Sequence, residues 1–174
     1  PECDEEALLV ALLRGAFEFQ GQKCSAASRA YIPSTVWSRI SSKFSDEVSK
    51  IKMGDALDFT NFMTAVIDQR AFDKINGYID RAAKRETCEV FIGGGSDGSS
   101  GWFIEPTVIV TEDPNSETMV DEIFGPVLTV FIYEDDNFEK VLETCDKGSP
   151  YALTGSIFAS NEEDVETAAN ALRF

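Results

Sequence analysis

Residues 127–133 read VLTVFIY, and this run constrains the fold more than any other stretch of the chain. It is short, β-branched and aromatic, and apolar at nearly every position instead of every second one. A half-exposed strand alternates. A run that is apolar throughout needs cover on both faces, as a central strand has in a sheet flanked by helices. The surrounding sequence supplies that cover. Residues 4–18 open on three acids, which suit a helix N-terminus. They place Leu8, Leu9, Val10, Leu12, Leu13, Ala16 and Phe17 on almost every side, so this helix is expected to be buried on most faces. After Pro33-Ser34-Thr35, the residues Trp37, Ile40, Phe44, Val48 and Ile51 fall three or four apart, predicting an amphipathic helix with Ser34 as its cap. Phe72, Ile75, Ile79 and Ala82 mark another, with Asp80 and Lys84 spaced to pair on its wet side.

The remaining pattern continues the alternation. Residues 27–32, 88–92, 102–104, 107–110 and 155–159 read as strands. Phe138, Val141, Leu142 and Cys145 make a short helix, and Asn161 caps a last one carrying Val165, Ala168, Ala169 and Leu172. The expected fold class is α/β, a sheet with helices on both faces. At 174 residues, 43% of them apolar, the chain is long enough to bury a core and is one domain or part of a larger protein.

The formal charge of −16 argues against nucleic acid or an anionic membrane as partner, since both repel an acidic surface. The short acidic clusters at 4–6, 134–136 and 162–164 read as solvated helix starts. No hydrophobic run is long enough to span a bilayer. The four cysteines show no CxxC spacing and there is no histidine, so no metal site is expected and the thiols read as reduced. The chain starts on Pro1-Glu2-Cys3 without a leader and stops on Arg173-Phe174 straight after a helical pattern, which suggests a segment cut from something longer.

Two stretches invite a functional reading. Residues 93–101, GGGSDGSSG, hold a literal GxGxxG at Gly93, Gly95 and Gly98. A dinucleotide fingerprint needs a helix to open at the motif. Here the chain continues into Trp102-Phe103-Ile104 and Pro106, a strand pattern, so the glycines predict a flexible surface loop between strands. Residues 17–29, FEFQGQKCSAASR, hold Cys24. A lone cysteine is by default a small buried apolar side chain. Three neighbours shift the balance towards a reactive thiol. Gly21 permits a sharp turn, Ser25, Ala26 and Ala27 leave room for a substrate, and Lys23 can favour the thiolate if its charge points that way. A Cys–His hydrolase is disfavoured by the lack of histidine. On these residues alone, nucleophile and buried filler both stay open.

The same stretch resembles the catalytic-cysteine segment of the aldehyde dehydrogenase superfamily, roughly F-x-x-x-GQ-x-C-x-A-x-x-R, at Phe17, Gly21, Gln22, Cys24, Ala26 and Arg29. Glu122-Ile123-Phe124-Gly125-Pro126-Val127 resembles the family's E-x-FGPV motif, and SPYALTGSIFA at 149–159 the stretch that follows it. The longer segments around these motifs are most similar to the branch that oxidises L-glutamate γ-semialdehyde to glutamate with NAD in proline breakdown. The resemblance implies that Cys24 is the catalytic nucleophile and that its backbone N–H helps hold the oxyanion. It implies that Ser25 binds the substrate carboxylate, that Glu122 bonds the nicotinamide-side ribose of NAD and that Phe124 packs beside the same end of the cofactor.

It further implies that residues 1–174 are the nucleophile-bearing catalytic domain, truncated at both ends. The NAD-binding domain, the oxyanion Asn and the general-base Glu would then lie before residue 1, so the segment alone would be inactive. The full-length enzyme would be a homo-oligomer, a dimer or higher, in the mitochondrial matrix of a eukaryote or the cytoplasm of a bacterium. Blander roles compete. Glu122 could be a surface acid beside Asp121, Phe124 plain core, Ser25 a backbone-bonded hydroxyl and Lys23 a solvated neighbour. The whole chain could be an aldehyde dehydrogenase of other specificity or a non-catalytic α/β module.

Overall fold

A computed structural model describes residues 2–172. Its centre is a four-stranded sheet in the order β1-β6-β5-β2, formed by β1 (Arg29–Pro33), β2 (Cys88–Ile92), β5 (Thr107–Thr111) and β6 (Val127–Tyr133). The first three in spatial order run parallel and β2 closes the far edge antiparallel. The VLTVFIY run is therefore an interior strand, as its composition requires. Register follows from its two sides: Thr129 pairs with Arg29 on one neighbour and Ile109 on the other.

Helices cover both faces. The first layer is α1 (Glu5–Phe17) and α2 (Ser34–Ser49), which pack Leu8, Leu12, Phe17, Ile40 and Phe44 against Val108, Leu128 and Val130. The second is α3 (Gln69–Ala82), which packs Ile75 and Ile79 against Ile109 and Val127. Val108 and Ile109 thus point to opposite cores, as successive strand residues must. Each fully buried side chain of this kind contributes about 1.5–3 kcal/mol. Asp4 caps α1 by accepting from the Ala7 N–H, Asp68 caps α3 by accepting from Ala71, and Asn161 caps α6 (Glu162–Ala171) by accepting from Asp164. The remaining elements are β3 (Ser96–Asp97), β4 (Phe103–Ile104), α4 (Glu117–Val120) and α5 (Phe138–Lys147).

Four local expectations need correction. Ser34 is the first residue of α2 and not its cap. The helix start is held from across the fold by Asp135, which accepts from the Thr35 N–H at 3.2 Å and from the Thr35 hydroxyl at 2.5 Å. Helix α3 stops at Ala82, so Lys84 lies beyond it and makes no ion pair with Asp80 among the described residues. Residues 155–159 form no strand. They pair with neither edge strand, β1 nor β2, and residues 151–158 stay exposed; an apolar run becomes a strand only where it reaches a partner edge. The glycine-rich stretch 93–101 starts no helix, in keeping with its reading as a connection, but Ser96–Asp97 pair with β4 and make it a small ribbon rather than an open loop. No helix among the described residues is long and apolar enough to cross a membrane.

Candidate active site

The site lies at one end of the parallel strands, because two segments enter neighbouring strands there. Residues 18–28 run from the end of α1 into β1, and residues 121–126 run into β6. Strand pairing carries these two segments side by side, and the Thr129 N–H donates to the Ser28 carbonyl at 3.0 Å.

The first segment turns sharply. Phe19, Gln20 and Gly21 all have left-handed backbone, at φ 53°, 58° and 64°. The two non-glycine residues cost about 1–3 kcal/mol each, strain that persists where the surroundings enforce it. A β-turn follows, closed by the Ala26 N–H donating to the Lys23 carbonyl at 3.0 Å, with Cys24 and Ser25 as its two central residues. Cys24 is exposed and free. Its backbone N–H has no partner among the described residues, and neither has the exposed Ser25 hydroxyl. The buried-filler alternative for Cys24 is therefore not what the fold shows. Lys23 does not serve the thiol: its ammonium donates to Glu18 at 2.8 Å and lies over the Phe19 ring. Glu18 also accepts from Arg14 at 2.6 Å, and the bonds from Lys23 and Arg14 hold its carboxyl down at about 2.

The other thiols are less open. Cys3, Cys88 and Cys145 are half-buried, and burial pushes the Cys3 and Cys145 thiols up. The described residues hold no cluster of acids or cysteines able to bind a metal.

The second segment is built against the first. A Cβ on Gly21 would lie 2.8 Å from both the Ala16 carbonyl oxygen and the Gly125 carbonyl carbon, and closer still to the Gly125 oxygen. The Cys24 segment and the E-x-FGPV segment thus touch backbone to backbone, which only glycine allows. Gly125 in turn sits on Ile75, whose side chain would meet any Cβ there at 2.5 Å. Phe124 is left-handed, at φ 61°, and 42% exposed. Glu122 is exposed as well. Neither is core, and both side chains are open to solvent. A carboxylate that can accept from two hydroxyls, next to an open aromatic face, fits the ribose and ring of a nicotinamide nucleotide.

One face of α3 holds this second segment in place. Lys74 donates to the Glu122 carbonyl at 2.9 Å, the Tyr78 hydroxyl to Asp121 at 2.9 Å, and Arg81 to both oxygens of Glu117. The spacing 74, 78, 81 is one helical stripe. Arg81 keeps the Glu117 carboxyl below its usual range. Asp121, beside the motif acid, is therefore a tether. Arg29 ties a third piece to the site, donating to the Met119 carbonyl at 2.9 Å and to the Tyr151 carbonyl at 2.6 Å. The sequence alone does not disclose these tethers. The stripe on α3 is visible there as a pattern of long polar residues, but its partners, some 40 residues away, are not.

The chain is similar to known proteins in sequence and in fold. The model of the aldehyde dehydrogenase family matches residues 1–174. Over 170 residues the chain is 49% identical to the mitochondrial delta-1-pyrroline-5-carboxylate dehydrogenase of Dictyostelium discoideum, covering 98% of this chain and 30% of that protein. Over 162 residues it is 52% identical to the delta-1-pyrroline-5-carboxylate dehydrogenase of Agaricus bisporus, covering 92% and 30%. The structure superposes on the NAD-bound delta-pyrroline-5-carboxylate dehydrogenase of Mycobacterium tuberculosis with a TM-score of 0.91 at 42% identity, over 99% of this chain and 31% of that one. The chain spans about a third of the length of the relatives it matches.

Proposed function

The chain belongs to the aldehyde dehydrogenase family, and we propose that it carries the nucleophile of an NAD-dependent enzyme that oxidises L-glutamate γ-semialdehyde to glutamate. The observation that carries this reading is an exposed Cys24, its own N–H without a partner among the described residues, on a segment whose Gly21 is in backbone contact with the segment that carries Glu122 and Phe124.

The chemistry asked of these residues is modest. Cys24 Sγ, as thiolate, attacks the aldehyde carbon and forms a C–S bond. The carbonyl π pair moves onto oxygen, where the Cys24 N–H can stabilise it. The Ser25 hydroxyl is free to donate to a substrate carboxylate. Glu122 would hold the nicotinamide-side ribose and Phe124 would pack at that end of the cofactor. NAD, when bound, supplies the acceptor for the aldehyde hydrogen as hydride. The acyl group left on Cys24 Sγ is a thioester, which water cleaves to the carboxylic acid and free thiol.

Residues 1–174 form the nucleophile-bearing domain in this proposal, with the NAD-binding domain, the general base and the second oxyanion donor supplied by other polypeptide. The segment alone is then inactive. Exposed apolar side chains such as Phe59, Ile67 and Leu153 are open to cover by further polypeptide, which in this proposal includes a second copy of the chain in a homo-oligomer. In a eukaryote the enzyme would work in the mitochondrial matrix, a reading supported by the word mitochondrial in the name of the Dictyostelium relative; in a bacterium, in the cytoplasm.

The test is NADH formation by the full-length protein on L-glutamate γ-semialdehyde and on simple aldehydes. The native protein should prefer the semialdehyde, Cys24→Ser should abolish turnover, and Ser25→Ala should weaken the preference. Turnover that survives Cys24→Ser overturns the mechanism, and equal use of simple aldehydes overturns the substrate.

A further inference from the structure

The strained turn ahead of Cys24 needs something to hold it, and the side chains that could do so differ sharply. Phe19 has φ 53° but the residue is 67% exposed, so packing does little to fix it. Gly21 is wedged against Gly125 but carries no side chain. Gln20, between them at φ 58°, reaches across the fold with its carboxamide. Its Oε1 accepts from the Thr64 N–H at 3.0 Å, and its Nε2 donates to the Ala65 carbonyl at 3.3 Å. The amide thereby acts as a peptide unit would in a strand pair, bonding one donor and one acceptor of the same segment. Gln22 adds a third bond in the same direction, accepting from the Ile67 N–H at 3.0 Å. Residues 64–67 are thus laced to the turn from both sides of Gly21.

We propose that Gln20 is a positioning residue for the Cys24 nucleophile: its two hydrogen bonds to residues 64–65 lock the left-handed backbone run from which the Cys24 turn is presented. The proposal rests on the reading of Cys24 as nucleophile. Gln20 makes no contact with Cys24 among the described bonds and acts through the backbone of Gly21, Gln22 and Lys23. The cofactor-side segment has separate anchors, Lys74 and Tyr78 on α3. Loosening Gln20 therefore slows attack by the thiol and leaves NAD binding alone. A misplacement on the order of 1 Å at a reacting atom costs roughly 100-fold in rate.

Two variants of the full-length enzyme test this. Gln20→Met keeps length and volume and removes both hydrogen bonds. Gln20→Glu keeps the acceptor for the Thr64 N–H and loses the donor to Ala65. The measurement is the single-turnover rate of NADH formation, expressed per titrated Cys24 thiol, with the KM for NAD alongside. In Gln20→Met the rate should fall about tenfold or more, in Gln20→Glu by less, and the KM for NAD should stay within about twofold. A purely structural role would lower the melting temperature and the number of titratable sites and leave the rate per site unchanged. A rate per site within about twofold of the parent in Gln20→Met overturns the proposal. If that variant does not fold, the same result in Gln20→Glu overturns it. Turnover by Cys24→Ser would instead remove the nucleophile on which the proposal rests.

Discussion

Replacing Gly21 by alanine separates two demands that the site makes on one residue. The first is conformational: at φ 64° an alanine sits in the left-handed region, which costs about 1–2 kcal/mol. The second is steric. The new Cβ would stand 2.8 Å from the carbonyl oxygen of Ala16 and from the carbonyl carbon of Gly125, both backbone atoms that no rotamer change can move. Ordinary carbon contacts begin near ~3.5 Å, so the helix end and the E-x-FGPV segment would have to part by over half an ångström. Overpacking of this kind costs about 1–3 kcal/mol. The sum is about 2–5 kcal/mol. For a domain of this size that lowers the melting temperature by roughly 2–4 °C per kcal/mol. Gly77→Ala is the internal comparison. Gly77 is inside α3, and its Cβ would meet only the far end of the Arg81 side chain, at 3.0 Å. Alanine there gains up to about 1 kcal/mol of helix propensity, offset in part by moving Arg81. Thermal and urea unfolding of both variants should therefore show a large loss for Gly21 and almost none for Gly77. A loss under about 1 kcal/mol at Gly21 would mean that the two segments are not in backbone contact, and the site as described would fail with it.

Other consequences follow from the same contacts. Mass-spectrometric timing of iodoacetamide alkylation should find Cys24 modified well before Cys3 and Cys145, which are half-buried with thiols pushed up by burial; equal rates would contradict the open turn. The Glu18 carboxyl is lowered from an ordinary 4.5 to about 2, so its bonds to Lys23 and Arg14 contribute stability that is complete above about 4.5 and lost as pH falls through about 2. The stability gap between the parent and Glu18→Gln should accordingly be largest near neutrality and close below about 2; a gap that widens on acidification would reverse the sign of the assignment. Arg29→Ala removes two bonds, to Met119 and Tyr151, and should raise amide exchange and protease cleavage within residues 149–158 while the central strands keep their protection.

What the sequence disclosed and what it hid divide by the range of the interaction. The run at 127–133 and the stripe Phe72–Ile75–Ile79–Ala82 are local periodicities, and both became the elements they imply. Asn161 caps through its own side chain, three residues from its partner, so it too was legible. The cap of α2 was not, because Asp135 arrives from 100 residues away and displaced the local candidate Ser34. The apolar stretch at 155–159 failed for a related reason: its composition suits a strand, but a strand forms only where the chain is carried alongside a partner, which local composition does not report. Lys23 shows the limit for charges. Adjacency in sequence put it beside the thiol, whereas the kinked turn aims it at Glu18.

The site itself is where backbone geometry outweighs side-chain identity. Cys24, Ser25, Glu122 and Phe124 could all be picked out by type and motif. Nothing in those types says that the two segments meet, or how closely. They meet because β1 and β6 are parallel neighbours with Arg29 opposite Thr129, so the residues leading into each strand lie at the same end of the sheet. Parallel pairing alone would leave them a strand spacing apart, about 4.8 Å. Closer approach needs a residue without a Cβ on one side and an exposed carbonyl on the other, and Gly21 and Gly125 supply that pair. At this contact no flexible side chain lies between the backbones to absorb a shift, so each segment is kept in place by its own anchors. In the proposed function, the Cys24 thiol on one segment and Glu122 on the other are held in fixed relation only if both backbones are anchored independently. Gln20 and Gln22 anchor the first to residues 64–67, and Lys74 and Tyr78 anchor the second to α3. The division of anchors is what makes the kinetic separation of thiol attack from cofactor binding a physical expectation.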